Sequence, residues 1–96
     1  MEDNHKLYTF IMDYLGGTYI SQFSSDSKES AMKLWIESIE IDQIEGFTLQ
    51  DKKRIISIGF ESDDPCAITG LKNVWHFIIK TKKGPGYINF VQTTDN

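Results

Sequence analysis

Leu7-Tyr8-Thr9-Phe10-Ile11-Met12-Asp13-Tyr14-Leu15-Gly16-Gly17-Thr18-Tyr19-Ile20-Ser21-Gln22-Phe23 is the stretch that decides the fold. Two runs rich in aromatic and β-branched residues flank a pair of glycines, and a two-residue link at positive φ is what a tight β-hairpin needs. With Gly16-Gly17 as the turn, Gly17 takes a positive φ and Leu15 faces Thr18, Tyr14 faces Tyr19, Met12 faces Ser21 and Phe10 faces Phe23. Because strand residues alternate, this register puts Tyr8, Phe10, Met12, Tyr14, Tyr19 and Phe23 on one side. Leu7, Thr9, Ile11, Asp13, Thr18, Ile20 and Gln22 fall on the other. The first side is strongly aromatic and the second is mixed. Such a segment specifies a fold and no chemistry.

Downstream, Ser24-Ser25-Asp26-Ser27-Lys28-Glu29 reads as a helix start, with Asp26 as N-cap and Glu29 three residues on. The helix runs to about Ile39, with Ala31, Leu34, Trp35 and Ile39 on one face and Met32 and Ile36 widening the apolar stripe. Glu40 to Phe47 is an acidic connection. Thr48 then caps a shorter helix over Leu49 to Ile58 with Asp51 at its third position. The β-branched run from Arg54 to Phe60 leaves a strand as the alternative.

Glu61 to Asn73 is a loop of above-average length. Val74–Thr81 and Gly86–Thr94 form a second hairpin joined by Lys82-Lys83-Gly84-Pro85. If Thr81 opposes Gly86, Ile79 meets Ile88 and Phe77 meets Phe90, with Trp75 extending that apolar face. Val74, His76, Ile78, Lys80, Tyr87, Asn89 and Val91 take the opposite face. The fold class is α+β: a four-stranded antiparallel sheet of two hairpins with one or two helices on one face, in the order ββα(α)ββ.

The 96 residues form a single domain, with 1–6 and 95–96 expected to be mobile ends. A hydrophobic content of 40% with 25% charged residues is that of an ordinary globular domain. The net charge of −4 opposes non-specific attraction to nucleic acid or anionic lipid. Cys66 is the lone cysteine, so no intramolecular disulfide forms and a reducing compartment fits. The polar start Met1-Glu2-Asp3-Asn4-His5-Lys6 lacks the apolar core of a secretory signal, and no apolar run approaches the roughly 18 residues that span a bilayer. A cytoplasmic location without membrane contact is the expectation.

Catalytic, cofactor and metal sites are not expected. His5 and His76 lack partners at metal-ligand spacing. The acidic Asp63-Asp64 beside Cys66 disfavours a thiolate. Asp63-Asp64 and the group Glu37, Glu40, Asp42 and Glu45 read as solvated faces, since acid–base pairs need contrasting environments. Lys52-Lys53-Arg54 and Lys80/Lys82/Lys83 could touch phosphates, and aromatic residues on a four-stranded sheet are how single-strand RNA readers stack bases. The basic-aromatic strand motif of those readers is absent here, and helices over the aromatic face would hide the rings. No glycine-rich phosphate loop precedes a helix. What remains is the mixed sheet face, whose Leu7, Ile11, Ile20, His76 and Ile78 make it the expected partner surface.

Tyr8-Thr9-Phe10, Gly16-Gly17-Thr18-Tyr19-Ile20-Ser21-Gln22, the Ala31/Leu34/Trp35 helix and Asn73-Val74-Trp75 together resemble a group of small bacterial proteins to which no activity attaches. The hairpin leading to a helix with Glu29 and Ala31 is similar to the start of HicB-type antitoxins. The later half departs from that pattern and brings no DNA-binding segment, so operator binding is not carried over. The expectation is a non-enzymatic protein–protein interaction domain, as a homodimer or as a toxin-neutralising partner. A nucleic-acid-associated module using the two basic groups is the alternative, and a small enzyme or ligand-binding domain ranks last.

Overall fold

The computed structural model describes residues 5–58, 66–68 and 70–93. It comprises β1 (Lys6–Tyr14), β2 (Gly17–Ser25), α1 (Lys28–Ser38), a 3-10 turn (Ile41–Gln43), α2 (Leu49–Ile58), β3 (Cys66–Ala67), β4 (Val74–Thr81) and β5 (Gly84–Gln92). The two hairpins join through their outer partners, β1 beside β5, giving the antiparallel order β2-β1-β5-β4-β3. The four-stranded α+β architecture expected from the sequence is therefore present. To it β3 adds a two-residue rung, Cys66 opposite His76 and Ala67 opposite Trp75, within the segment expected to be loop. Lys6, expected in a mobile end, opens β1 opposite Ser25. Of the other expected mobile residues, 1–4 and 95–96 lie outside the described residues, as does the 59–60 part of the strand alternative.

Both hairpins pair two residues out of the register that the sequence suggests: the first keeps a two-residue turn one position earlier, and the second is two residues tighter. Tyr14 pairs with Gly17, Met12 with Tyr19 and Phe10 with Ser21, so the first turn is Leu15-Gly16. Leu15 (φ 47°) and Gly16 (φ 84°) supply the two positive φ angles, and Gly17 is an ordinary strand residue. That overturns the expectation of a positive φ at Gly17. Leu15 tolerates its uncommon backbone because its side chain lies over Gly46, where a Cβ would come within 2.6 Å of it. In the second hairpin Thr81 pairs with Gly84, Phe77 with Ile88 and Trp75 with Phe90, across a Lys82-Lys83 turn. A slip of two leaves every side chain on its expected face.

Helix α1 starts one residue later than expected. Ser27, not Asp26, is the N-cap, its Oγ accepting the Ser30 N–H at 3.1 Å. Ala31, Met32, Trp35 and Ile36 are buried, whereas Leu34 is exposed, so the buried stripe is rotated toward Met32 and Ile36. Helix α2 begins with a reciprocal cap: Thr48 Oγ1 accepts the Asp51 N–H at 3.1 Å, and Asp51 Oδ2 accepts the Thr48 N–H at 3.2 Å. That cap decides the ambiguous segment in favour of helix through Ile58.

The core lies between the helices and one sheet face. Phe10 is fully buried at its centre, stacked on Phe90 at 4.7 Å and on Trp35 at 5.9 Å, with Phe77 edge-on to all three. Tyr14 closes one end, its ring edge-on to Phe47 and its hydroxyl donating to Gly46 O at 3.0 Å.

Candidate functional site: the uncovered sheet face and the basic corner

Both helices pack on the aromatic side, so among the described residues the other side of the sheet has no covering layer. Its residues form transverse rows across β2, β1, β5 and β4, read from the strand register. The middle row is Ile20, Ile11, Asn89 and His76. On one side of it lies Thr18, Asp13, Tyr87 and Ile78, and on the other Gln22, Thr9, Val91 and Val74. Each row has an apolar half and a polar half. In the middle row the apolar half is on β2 and β1; in the flanking rows it is on β5 and β4.

Every polar half is bonded within itself. Thr18 Oγ1 donates to Asp13 Oδ1 at 2.9 Å, Gln22 Nε2 donates to Thr9 Oγ1 at 2.9 Å, and His76 Nδ1 lies 3.0 Å from Asn89 Oδ1. The exposed apolar members are Ile20, 67% accessible, and Tyr87, 47% accessible, while Ile11, Ile78, Val74 and Val91 are half-buried by their neighbours.

The five residues expected to form a partner surface thus share one face. Ile11, Ile20 and His76 occupy a single row, Ile78 the next, and Leu7 the β1 end, where its carbonyl accepts the Thr93 N–H at 2.7 Å. Tyr87 was not counted among them, although its place between Asp13 and Ile78 makes it the largest exposed side chain of the face. Strand alternation already places it on this face with His76 and Ile78, and that parity is the signal for it. The Asp13 carboxylate and the His76 imidazole stand in adjacent rows on strands separated by β5, roughly 12 Å apart by strand spacing and rise.

At one end of the molecule the two expected basic groups meet. The Arg54 guanidinium donates to Lys80 O and lies 3.8 Å from Asp51, and Lys82 Nζ donates to Gln50 Oε1 at 3.0 Å. Lys52 departs from this cluster, donating to Ile39 O at 2.9 Å, while Lys53 and Lys83 sit exposed beside it. The corner is organised by Asp51, which is 1% accessible and accepts the Lys82 N–H at 3.2 Å as well as the Thr48 groups. Burial alone would push its carboxyl up. The hydrogen bonds from Thr48 and Lys82, with the Arg54 charge nearby, outweigh burial and hold it below the usual carboxylate range. Asp51 was read from sequence as a cap; its bond to a turn 31 residues away had no local signal.

No group of three potential metal ligands occurs among the described residues. Asp63 and Asp64 lie outside them, and the side chain of Cys66 is not among those described. Among the described residues no helix is long and apolar enough to cross a membrane. No family model matches the chain, and neither a curated protein nor a solved structure does.

Proposed function

We propose that this is a non-catalytic interaction domain that pairs with a second copy of itself through the uncovered sheet face. The palindromic pattern of that face carries the reading. A two-fold axis laid along the Ile20–Ile11–Asn89–His76 row turns each flanking row onto the other. Tyr87 and Ile78 of one copy then meet Val91 and Val74 of its partner, polar halves meet polar halves, and Ile20 and Ile11 meet themselves. The polar side chains already bond one another, which lowers the desolvation cost of covering them. Four strands at about 4.8 Å spacing and eight residues at about 3.4 Å give a face of roughly 19 by 27 Å in plan. That is the scale of a stable contact, about 800 Å² of accessible surface per partner.

Sedimentation equilibrium tests it: the expected result is a dimer that the single change Ile20→Lys converts to a folded monomer. A wild type that stays monomeric at high concentration overturns the reading. Neutralisation of a toxin partner is the other form this interaction class takes, and it would use the same face with Ile20 and Tyr87 as anchors.

A second reading, contact with nucleic acid, draws on the meeting of Arg54, Lys80 and Lys82 at one corner. It ranks behind, because Arg54 and Lys82 are already bonded within the corner. Retention on single-stranded oligonucleotides that falls steeply with salt, and disappears in Lys82→Glu, would promote it.

A further inference from the structure

The second distinctive surface lies on the helix side of β2. A groove of about 450 Å³ runs between this strand and the end of α1 with the following 3-10 turn. Its apolar walls are Tyr19 and Phe23 on the strand and Trp35, Ile39 and Ile44 opposite. Between Tyr19 and Phe23 the strand presents only Ser21, whose small side chain leaves the space open. A volume of this size is that of a site for one or two side chains rather than a packing flaw.

Thr18 and Ile20 also border the groove, although their side chains point to the uncovered sheet face. Their main chain must therefore form the border. The geometry of a two-residue hairpin explains why. Tyr14 and Gly17 flank the turn as a hydrogen-bonded pair, so Tyr19, Ser21 and Phe23 bond to β1, while the N–H and C=O groups of Thr18, Ile20 and Gln22 point away from it. Among the described residues β2 is an edge strand with no further neighbour. From Thr18 to Ser25 it carries no charge and no proline, the devices that normally protect an edge from pairing. The opposite edge differs, since β4 is partly covered by β3 and carries Lys80.

The other wall supplies a sign. Glu40 borders the groove, and Glu37, Asp42 and Glu45 stand exposed on the same stretch of chain. No lysine or arginine occurs between Lys33 and Lys52.

We propose that β2 and this groove bind an extended basic peptide, added to the sheet as a further strand. The outward main-chain groups of Thr18, Ile20 and Gln22 would pair with its backbone. An aliphatic side chain would enter beside Ser21, and a flanking lysine or arginine on the same side would approach Glu40. This site shares β2 with the proposed dimer face but uses the strand's outer main-chain groups and its helix side, and either can stand without the other.

The probe is acetyl-Thr-Lys-Thr-Val-Thr-Lys-Thr-amide, which places valine and both lysines on one side whichever way it runs. It is titrated into the millimolar range while backbone amide shifts are recorded, and its counterpart with glutamate for lysine serves as control. The expected result is saturable shifts confined to Thr18–Phe23 and Ile39–Ile44, with the glutamate peptide at least tenfold weaker. Glu40→Lys, at an exposed position, should weaken the lysine peptide at least tenfold and leave the fold unchanged. Ser21→Leu fills the gap and should abolish binding, with its fold checked by the same spectra. Four outcomes overturn the proposal: no saturation, equal affinity for both peptides, shifts centred on the basic corner or the uncovered face, or groove shifts that follow protein concentration alone. The last would make a second copy the occupant.

Discussion

Phe10 and Ile11 are consecutive residues in β1 that inhabit different surroundings. Phe10 is completely buried between Phe90, Trp35 and Phe77, while Ile11 lies half-covered between Ile20 and Asn89 on a face with no layer above it among the described residues. Both faces are built from the same strands with the same alternation. One is held by rings with a fixed stacking geometry, the other by short aliphatic side chains and polar pairs bonded to each other. The difference separates what the sheet needs to fold from what it leaves for another molecule. An interior that relies on the aromatic side alone frees the other side to vary with function.

That contrast is broken most directly by truncating both neighbours. Phe10→Ala should destabilise the domain by about 3–5 kcal/mol, through lost burial and a cavity among three rings. Ile11→Ala should cost less than about 1.5 kcal/mol, since its surroundings are partly solvent already. Urea denaturation of the two variants side by side checks the ratio. Comparable losses would mean that the open face is a second core rather than a surface.

The next effect comes from Asp51, which ties the helical layer to the sheet at the β4–β5 turn. Asp51→Ala removes the reciprocal half of the α2 cap and leaves the Thr48 and Lys82 N–H groups without their acceptor, at a cost of about 1–3 kcal/mol in urea. The wild-type carboxyl adds a pH signature. Its pKa is lowered in the folded state, so its stabilisation is complete above the ordinary value of 3.8 and is lost as the pH falls below it through the folded value. Asp51→Ala should therefore flatten the acid side of the stability profile. An unchanged acid limb would assign that slope to other carboxylates.

How much of this was legible in the sequence follows from the length scale of each signal. Face assignment was legible because alternation is a property of each strand alone, and it survives any slip of two. Register was not. The glycine pair looked like the turn because a leucine at positive φ is unfavourable locally. Leu15 takes that conformation because Gly46, 31 positions away, leaves room for its side chain. The cap of α2 was legible, since Thr48 and Asp51 are three residues apart, whereas the meeting of Arg54 with Lys80 depends on how the second hairpin docks on α2. For the candidate site, Leu7, Ile11, Ile20, His76 and Ile78 were placed together by parity alone. Their arrangement into palindromic rows required the β1–β5 pairing, which no local pattern encodes.

Register itself can be tested at a smaller magnitude. Gly16→Val forces a β-branched residue to φ 84° and should cost about 1–2 kcal/mol, visible in thermal melts. Gly17→Ala should cost less, because a Cβ there meets only the tip of the Tyr19 ring, at 2.8 Å, which can turn aside. The reverse ranking would restore Gly17 to the turn and shift all three rows of the open face along β2.

The smallest effect on stability belongs to the residue with the largest expected effect on association. Ile20 is 67% accessible on an edge strand, so Ile20→Lys should change the unfolding free energy by no more than about 0.5 kcal/mol. In the proposed dimer the same side chain meets its own copy across the two-fold axis, where two lysines would be buried facing each other. Repulsion and desolvation then act together, and like charges so placed cost several kcal/mol. A cysteine at this position sharpens the geometry. In a Cys66→Ser background, Ile20→Cys should be linked into a dimer readily by a short bis-maleimide, because residue 20 faces itself on the axis at about the 10 Å separation of packed sheets, beyond the reach of a direct disulfide. Gln22→Cys should not, because it faces Thr18 of the other copy, and only the double variant Thr18→Cys with Gln22→Cys should crosslink through that pair. Crosslinking at Gln22 alone would move the axis by one row, leaving the face as the interface but breaking the palindrome that selects it. Equal and slow crosslinking at both positions would mean random collision, and with it the open face would be no more than the solvated side of the sheet whose aromatic side holds the molecule together.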